Sequence, residues 1–427
     1  MKNITYKIEG GNPLNGTVRL QSGKNACLPI LAATILTDGK TIIRNVPRIS
    51  DIENLLYIIS GLGARIEWNA GDLHIDTTNI ALNEINHEAA KKIRGSIFVL
   101  GGLVGRFKTA RLPYPGGCAI GSRPIDLHVD AFRSIGIRVK ESPQFIECRA
   151  GRIRGGTVYL DFPSVGATEN IILASALGNA TVTIVGAAKE PEVVDLVHFL
   201  RACGACIHGE GTDTITVQGV KNLKGTDYTP IPDRINTGSF LLAVATVGGD
   251  VVLENVIPQH NANLINKLQR GCCKIYTTAD TIRIQKFRDN KRGKAEGAQT
   301  APYPGFSTDL QCQFAVWQSL QKGTSKITEN LFENRFRYAS ELVKLGANMC
   351  IDGRSITIKG VPALQTPPRK TITVEARELR GGVALVIAAL ATKGEVIINN
   401  AQIIERGHEH LDRDLAKLGA TILKIEN

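Results

Sequence analysis

A loop rich in glycine and proline contains the residue best suited to covalent or acid chemistry. Cys118 lies in the sequence RLPYPGGCAIGSRPIDLH, with Gly116, Gly117 and Gly121 around it and Arg123 five residues further on. Glycines let a backbone approach a ligand closely, and a neighbouring arginine favours the reactive thiolate. The segment therefore predicts either a reactive cysteine or a small apolar cysteine in a turn, which is the commoner use of a single cysteine.

Positive charges recur where predicted buried helices begin. Lys24, Arg94, Arg234 and Arg380 lie at four of these openings. The six openings read SGKN (22–25), KKIRGS (91–96), SVGATEN (164–170), DRINTGS (233–239), STDLQ (307–311) and EARELRGG (375–382). Ser, Thr, Asp and Asn there are also ordinary caps. Because a helix N-terminus attracts anions, repeated cations at equivalent positions favour anion binding over capping alone.

A CxxC spacing predicts no metal site here. Cys203 precedes a recurrent glycine at an apolar position, Cys206 falls on the next predicted strand, and there is no second pair. We interpret both, and Cys272-Cys273, as core residues. Neither of the phosphate-binding motifs GxxxxGK[ST] and GxGxxG follows a predicted strand, so the sequence does not support the nucleotide-binding folds that contain them.

These candidate residues lie in a sequence that repeats six times. An apolar residue, glycine and a small residue introduce a strand-like stretch, and the glycines are spaced by 73, 68, 67, 75 and 73 residues. They are Gly63, Gly136, Gly204, Gly271, Gly346 and Gly419. Before five of them, a second glycine opens a stretch in which Val, Ile and Thr alternate, as in GDVVLENV.

Each repeat predicts a buried helix, a strand, an outer amphipathic helix ending in a glycine cap, and a further strand. Helices such as NACLPILAATIL and RGGVALVIAALAT are apolar almost all round. Six repeats suit two similar α/β domains of three units each. LQSGKN (20–25) and YTPIPDRIN (228–236) are candidate crossings between the domains, if the N-terminal strand joins the second half.

Composition narrows the class of protein. The 427 residues include 51 Lys and Arg against 40 Asp and Glu, a net charge of +11, which favours an anionic partner. No apolar run is long enough to span a bilayer and no signal peptide is evident. Nine scattered cysteines predict reduced thiols in the cytoplasm. The charge-rich segment KFRDNKRGKAEG (286–297) is expected to be a solvated loop. Among the functions considered, a basic nucleic-acid-binding repeat protein is the least favoured.

Several phrases together resemble the UDP-N-acetylglucosamine enolpyruvyl transferase family over essentially the whole chain. They are SGKNACLPILAA, PGGCAIGSRPIDLH, DFPSVGATEN, IPDRI, FSTDLQCQF, TENLFENRF and ERGHEHL. The resemblance implies two inverse α/β barrel-like domains. One comprises residues 24–231, the other comprises residues 1–23 together with 232–427, and the active site lies in the cleft between them. The sister family, 5-enolpyruvylshikimate-3-phosphate synthase, shares the six-unit fold but lacks the Cys loop.

The resemblance also implies an activity. Enolpyruvate moves from phosphoenolpyruvate to the 3′-hydroxyl of UDP-N-acetylglucosamine by addition and elimination, and phosphate is released. This is the first committed step of peptidoglycan synthesis, on which cell shape and division depend. The resemblance implies a cytoplasmic protein that is a monomer or weak oligomer. It is expected to use no cofactor and no metal and to bind neither nucleic acid nor membrane. The family is a target of fosfomycin.

By resemblance, each substrate has a set of residues. Cys118 is the proton donor to carbon 3, and Asp309 is the carboxylate beside the attacking hydroxyl; Lys24 and Arg406 complete the catalytic set. Phosphoenolpyruvate is bound by Lys24, Asn25, Arg123, Arg380 and Arg406. UDP-N-acetylglucosamine is bound by Arg94, Arg123, Pro124, Ile125, Asp126, Leu127, Ser164, Val165, Gly166, Asp309 and Leu331.

Two positions depart from the family pattern, and one segment matches only one of its branches. Glu378 replaces the usual Asp, Asn236 replaces the usual Glu, and Phe162-Pro163 follows one branch of the family. The first two departures leave open an alternative, a non-catalytic paralogue that binds the nucleotide sugar.

Overall fold

The chain forms two compact units in a computed structural model. The structure describes residues 3–83, 85–116, 120–121, 124–271, 273–287, 292–365 and 371–426. The first unit comprises Gln21–Cys118 and Pro124–Ile231, and the second comprises Met1–Leu20, Ala119–Arg123 and Pro232–Asn427. Cys118 and Arg123 themselves lie outside the described residues.

The helices and strands alternate along the chain much as the repeat predicts. The strands are β1 (Ile4–Glu9), β2 (Leu14–Arg19), β3 (Thr37–Asp38), β4 (Lys40–Ile43), β5 (Arg65–Asn69), β6 (Asp72–Asp76), β7 (Thr109–Pro113), β8 (Arg138–Glu141), β9 (Phe145–Arg149), β10 (Gly156–Tyr159), β11 (Thr181–Val185), β12 (Cys206–His208), β13 (Thr214–Gln218), β14 (Leu223–Lys224), β15 (Asp227–Tyr228), β16 (Gly249–Glu254), β17 (Lys274–Thr277), β18 (Thr281–Lys286), β19 (Ala298–Gln299), β20 (Thr324–Thr328), β21 (Asn348–Asp352), β22 (Ser355–Lys359), β23 (Ile372–Glu375), β24 (Glu395–Asn399) and β25 (Thr421–Glu426). The α-helices are α1 (Lys24–Ala33), α2 (Ser50–Gly61), α3 (His87–Lys92), α4 (Ile97–Phe107), α5 (Asp126–Ser134), α6 (Val165–Ser175), α7 (Pro191–Ala202), α8 (Arg234–Val247), α9 (Ala262–Arg270), α10 (Thr308–Ser319), α11 (Ala339–Lys344), α12 (Leu379–Ala391) and α13 (Leu411–Lys417). Short 3-10 turns cover Thr34–Leu36, Arg94–Ser96, Pro258–Asn261 and Ala401–Arg406.

The first unit surrounds its buried helices with small sheets. Their strand orders are β15-β4-β6-β5, β7-β9-β8 and β10-β11-β13-β12, with β14 paired to β3. In β11 the alternation of TVTIV buries Val182 and Ile184 and leaves Thr181 exposed. Helix α4 packs against both α1 and α6. These helices are buried along most of their length, which confirms the prediction from their nearly uniform apolar sequences.

The second unit repeats this arrangement. Its sheets have the strand orders β23-β24-β1-β25, β17-β18-β16-β2 and β19-β20-β22-β21. Strand β1 lies between β24 and β25, and β2 pairs with β16 in parallel, so the N-terminal strands pair with strands of the second half of the chain. Helices α8, α10 and α12 pack against one another and form the core.

The recurrent glycine follows an outer helix in every repeat, but not always for the same reason. Five of these glycines adopt the left-handed backbone that the predicted cap requires: Gly63, Gly136, Gly204, Gly346 and Gly419. Gly271 is the exception, with φ −85°. A side-chain carbon there would overlap the indole of buried Trp317. Glycine is therefore required at position 271 because a larger side chain would overlap Trp317, and not because the backbone is left-handed.

Three further expectations have mixed outcomes. Cys203 and Cys273 are buried core residues as predicted, and Cys272 lies outside the described residues. Cys206 is half-buried and its thiol donates to Gln218 Oε1 at 3.2 Å, so its assignment as a core residue was wrong. Within 286–297, Arg292 is half-buried and donates to the carbonyls of Leu320 and Gln321, so the described part of this segment is anchored rather than freely solvated.

No helix in the described part of the chain combines the length and the apolar character that a membrane span requires.

Candidate active site

The first predicted cation is held at the start of α1. Lys24 is the first residue of this helix, and its Nζ lies 3.1 Å from Asp51 Oδ2. Asp51 is in the first turn of α2 and is 4% exposed. The neighbouring Asn25 is exposed in the same helical turn. A buried carboxylate therefore fixes the ammonium group while the adjacent amide remains accessible.

Arg94 is joined to the predicted nucleotide loop. It opens the 3-10 turn before α4, and its Nη2 donates to the carbonyl of Pro124 at 3.3 Å. Pro124 and Asp126 are exposed and Leu127 is half-buried. Ile125 is only 6% exposed and belongs to the core of the unit, so this residue can offer a ligand its main chain but not its side chain.

A capped helix N-terminus lies in the same unit. Ser164 caps α6, and its hydroxyl accepts a hydrogen bond from the Ala167 N–H at 3.3 Å. Val165 and Gly166 form the first turn and are half-buried. Their N–H groups precede the first intrahelical bonds and are therefore available to an anion.

A buried histidine lies against this first turn. A side-chain carbon at Gly166 would lie 3.0 Å from His128 Cε1 and 3.2 Å from its Nε2. His128 Nδ1 is 2.9 Å from Asn170 Nδ2, and Asn170 Oδ1 accepts the N–H of Gly101 at 3.0 Å. Burial, and secondarily the charge of Arg94, lowers the pKa of His128 to about 3. The imidazole is therefore neutral near pH 7.

In the second unit, Asp309 is held by two buried arginines. Arg380 donates from Nε and Nη2 to Asp309 Oδ2 at 3.1 and 2.9 Å, and Arg335 Nη2 donates to Oδ1 at 2.7 Å. Each arginine is 3% exposed. Within the described residues, Arg380 Nη1 and Arg335 Nε have no hydrogen-bond partner. Because buried donors without partners are costly, this cluster is suited to receiving an anionic ligand.

Charges around Arg335 keep it cationic. Burial by itself lowers the pKa of the guanidinium, but the negative charges of Asp309 and Glu378 outweigh burial and raise the pKa above its ordinary value. Asp309 itself is positioned by Ser307, whose hydroxyl accepts its N–H at 3.2 Å at the start of α10.

The substitution at Glu378 preserves a helix cap. Its carboxylate accepts the N–H of Arg380 at 2.9 Å and also the N–H of Gly381, on its two different oxygens. The longer side chain therefore still caps α12, directly beneath Arg380. The thiol of Cys312 donates to the same carboxylate at 3.7 Å.

The remaining predicted residues are held by neighbouring loops. The N–H of Leu331 donates to Glu329 Oε1 at 2.9 Å, and Leu331 is half-buried. Arg406 is the half-buried last residue of a 3-10 turn. At the second substituted position, Asn236 Nδ2 donates to the carbonyl of Gly407 at 3.2 Å, so a neutral amide supports the turn that contains Arg406.

The structure brings some predicted residues together and adds others. Asp309 contacts Arg380, and Arg94 contacts Pro124; Cys118 and Arg123 lie outside the described residues. Sequence reasoning missed Asp51, Arg335 and His128. Arg335 and His128 lie within the family phrases TENLFENRF and RPIDLH, which could have identified them. For Asp51 the sequence offers only its place in a predicted helix. No group of three or more His, Cys, Asp or Glu is arranged to hold a metal ion in the described ranges.

Comparison with known proteins identifies relatives along the whole chain. Residues 8–415 match the family model described as EPSP synthase (3-phosphoshikimate 1-carboxyvinyltransferase). UDP-N-acetylglucosamine 1-carboxyvinyltransferase 2 of Caldanaerobacter subterraneus subsp. tengcongensis is 43% identical over 98% of this chain and 99% of its own length. The UDP-N-acetylglucosamine 1-carboxyvinyltransferase of Dichelobacter nodosus is 41% identical over 98% and 99%.

Solved structures agree with the fold. The enolpyruvyl transferase NikO of Streptomyces tendae superposes with a TM-score of 0.88 at 25% identity, covering 100% of both chains. EPSP synthase of Acinetobacter baumannii has a TM-score of 0.73 at 16% identity, over 99% of this chain and 100% of that one, and shows the fold alone. The predicted enolpyruvyl transferase fold is thus confirmed, and the chain belongs to the EPSP synthase family of enolpyruvyl transferases, alongside the UDP-N-acetylglucosamine 1-carboxyvinyltransferases.

Proposed function

We propose that the protein transfers enolpyruvate from phosphoenolpyruvate to the 3′-hydroxyl of UDP-N-acetylglucosamine, with release of phosphate, as the first committed step of peptidoglycan synthesis. The relatives that match at 41–43% identity over nearly their whole length have names that specify this acceptor and this transferred group. The single structural observation that carries the proposal is the cluster of half-buried Asp309 with buried Arg335 and Arg380, because its guanidinium donors without partners suit an anionic substrate.

The reaction requires cations that are already in place. Phosphoenolpyruvate carries a phosphate and a carboxylate, and oriented donors in a water-poor site stabilise such charge strongly. Arg380, fixed by Asp309 and by its backbone bond to Glu378, is assigned to the carboxylate. Lys24 and Arg406 are assigned to the phosphate, together with Arg123. Asp51 and Asn236 then act as supports for Lys24 and for the turn of Arg406.

The chemistry is an addition followed by an elimination. The sugar oxygen bonds to carbon 2 of phosphoenolpyruvate while carbon 3 gains a proton and the hydroxyl loses one. In the second step carbon 3 returns a proton and the bond from carbon 2 to the phosphate oxygen breaks. Asp309 is assigned to the hydroxyl proton and Cys118 to the proton of carbon 3. This scheme needs no cofactor and no metal.

The nucleotide sugar is assigned to the first unit. The loop Pro124–Leu127 would receive the uridine, with Ile125 contributing its main chain, and the N-terminus of α6 at Ser164–Gly166 would receive the diphosphate. We assign Leu331 to an apolar contact with the sugar.

The cytoplasm is the proposed location. Cys27, Cys148, Cys203, Cys206, Cys273, Cys312 and Cys350 are free thiols in the described part of the chain. Unbridged cysteines fit a reducing compartment.

Fosfomycin tests the assigned role of Cys118. We expect time-dependent inactivation of the wild type that phosphoenolpyruvate slows, and a Cys118→Ala protein that fosfomycin does not modify. Mass spectrometry of the intact protein measures the adduct, and Cys206→Ala is the control for a half-buried thiol elsewhere. Full phosphate release by Cys118→Ala would remove its role as acid.

A further inference from the structure

We propose that Glu329 is a positioning residue for the acceptor sugar: its buried carboxylate holds Leu331 at a set place relative to Asp309. This inference rests on the proposed function, because it concerns the same nucleotide sugar. Glu329 follows strand β20 directly and is 1% exposed. Its carboxylate connects the loop that contains Leu331 to the helix that carries Asp309.

One oxygen of this carboxylate holds the loop that follows Glu329. Oε1 accepts the N–H of Leu331 at 2.9 Å and the N–H of Phe332 at 3.2 Å. It also accepts the hydroxyl of buried Thr300 at 2.8 Å, and the same hydroxyl accepts the N–H of Asn330 at 2.9 Å. Since this loop belongs to neither a helix nor a strand, a side chain supplies hydrogen bonds that regular structure would otherwise provide.

The other oxygen reaches the start of α10. Oε2 accepts the hydroxyl of Thr308 at 2.8 Å, and Thr308 is the first residue of this helix and directly precedes Asp309. A carboxylate offers about four acceptor positions. In the part of the chain that the structure describes, Glu329 accepts four hydrogen bonds, all from neutral donors. Its oxygens therefore serve the surrounding chain rather than a substrate.

Arg335 makes a second connection between the same two segments. Its Nη2 donates to Asp309 Oδ1 at 2.7 Å, and its guanidinium lies 5.5 Å from the ring centre of Phe332. The loop 329–335 is thus attached to the first turn of α10 at both of its ends. The place of Leu331 relative to Asp309 is set by these two attachments.

The expected consequence of losing Glu329 concerns the acceptor sugar. The two buried arginines continue to hold Asp309 when the Glu329 carboxylate is removed. The N–H of Leu331, by contrast, loses its acceptor, so the loop is released near its start. We therefore expect the apolar contact to the sugar to weaken, while the groups assigned to phosphoenolpyruvate stay in place.

Two ligands separate this positioning role from general stability. UDP-N-acetylglucosamine contains the sugar that Leu331 is assigned to contact, and UDP does not. We expect Glu329→Ala to weaken UDP-N-acetylglucosamine by about tenfold, the size of a small apolar contact, while the Kd for UDP and the KM for phosphoenolpyruvate change by less than about twofold. Calorimetry gives both dissociation constants. No loss for either ligand, or equal losses for both, would overturn the inference.

Glu341→Ala is the matched control. Glu341 is as buried as Glu329, and its carboxylate accepts hydrogen bonds from Lys344 and Arg377. Its loss should lower the melting temperature without changing the ratio of the two dissociation constants. A changed ratio in this variant would show that the loss of any buried glutamate has the effect, and would contradict a specific role for Glu329.

A conservative variant tests whether the connection itself is what matters. Gln at this position keeps an oxygen for the loop N–H groups, and its amide can donate to the Thr308 hydroxyl. We expect Glu329→Gln to bind UDP-N-acetylglucosamine within about threefold of the wild type, because a net hydrogen bond between neutral groups contributes little. A Gln variant as weak as the Ala variant would contradict the proposal.

A double variant tests whether Glu329 acts through Leu331. Leu331→Ala removes the assigned sugar contact, so Glu329→Ala should add little further loss on that background, since residues that act as one unit are not additive. Losses that multiply would show that Glu329 affects the sugar by another route, and would overturn the inference.

This inference and the proposed function fail in different ways. A wild type that binds UDP-N-acetylglucosamine no more tightly than UDP, and releases no phosphate, would remove the proposed acceptor. A wild type that prefers the nucleotide sugar, together with a Glu329→Ala variant that keeps this preference, would remove only the role of Glu329.

Discussion

The side chains of the candidate site are held by hydrogen-bond partners that could not be identified from the sequence. Arg380 is bound by the side chain of Asp309 and, through its backbone, by Glu378. The planar guanidinium contacts one carboxylate oxygen with two nitrogens, a geometry that a lysine ammonium cannot reproduce. The position of the charge therefore matters as much as its sign.

Arg380→Lys tests this geometry. We expect kcat/KM for phosphoenolpyruvate to fall by about 100-fold, in the range seen when one oriented donor is lost, because the charge stays but the paired donors do not. Steady-state phosphate release measures the effect. Arg283→Lys is the matched control, since exposed Arg283 also donates twice to one aspartate, Asp250, and it should change kcat/KM by less than about twofold. Equal effects of both variants would refute the assignment.

The sequence predicted which residues could bind the substrates, but it did not predict all of the side chains that hold those residues in place. Lys24, Asp309 and Arg380 follow from recurrent helix openings and family phrases. Asp51 and Arg335 could not be paired with them, because ion pairs over 26 or 27 residues depend on how helices pack. The substitution at Glu378 looked disruptive in sequence, yet one extra methylene still allows both cap hydrogen bonds.

Helices and strands were the most predictable features of the chain. Alternating Val, Ile and Thr became strands such as β11, and nearly all-apolar segments became the buried helices α1, α6, α8 and α12. Gly271 shows where the pattern misled: its glycine matches the repeat, but its backbone does not take the left-handed conformation of the other five. Tertiary packing against Trp317 explains this glycine, and no local pattern reveals such a contact.

Gly271→Ala tests packing at the end of an outer helix. We expect it to lower the free energy of unfolding by about 1–3 kcal/mol, the usual cost of overpacking. Gly61→Ala, at the end of α2, is the matched control. It has open space around it and a negative φ, so it should be neutral or stabilising by up to about 1 kcal/mol. Denaturant melts provide both values, and equal stabilities of the two variants would show that Trp317 does not restrict the site.

The stability of the whole molecule should depend on buried carboxyl groups of the first unit. Asp195 accepts hydrogen bonds from the hydroxyl of Tyr228 at 2.6 Å and from the N–H of Ile231 at 3.0 Å. Burial nevertheless raises its pKa from 3.8 to about 6, despite those bonds and with a small contribution from Glu192. Glu169 is fully buried, and burial raises its pKa well above the ordinary value.

Asp195→Asn tests this linkage. Between about pH 4 and 6 the folded protein retains a proton that the unfolded chain releases, so this group's stabilising contribution falls as pH rises. We expect the wild type to lose stability relative to the variant by up to about 1.4 kcal/mol per pH unit in this window, and by no further amount above it. Melting at a series of pH values measures the difference, with exposed Asp130→Asn as the control. A pH-independent difference would contradict the raised pKa.

The molecular charge of +11 first suggested an anionic partner of any kind. The fold and the family narrow that partner to two small phosphorylated substrates, which require only a few of the 51 basic residues. Sixfold repetition predicted the architecture because each repeat must bury its apolar helix among similar neighbours. Which cations meet a ligand could not be predicted from the repeat, since equivalent positions in different units hold different residues.

A phosphate-release assay with both substrates tests the central claim most directly. The purified full-length protein is incubated with phosphoenolpyruvate alone, with UDP-N-acetylglucosamine alone and with both, and free phosphate and the nucleotide-sugar product are measured together. The proposed function predicts phosphate only in the third mixture, in a one-to-one ratio with enolpyruvyl-UDP-N-acetylglucosamine. Tight binding of the nucleotide sugar with no phosphate and no product would contradict it and indicate the non-catalytic paralogue instead.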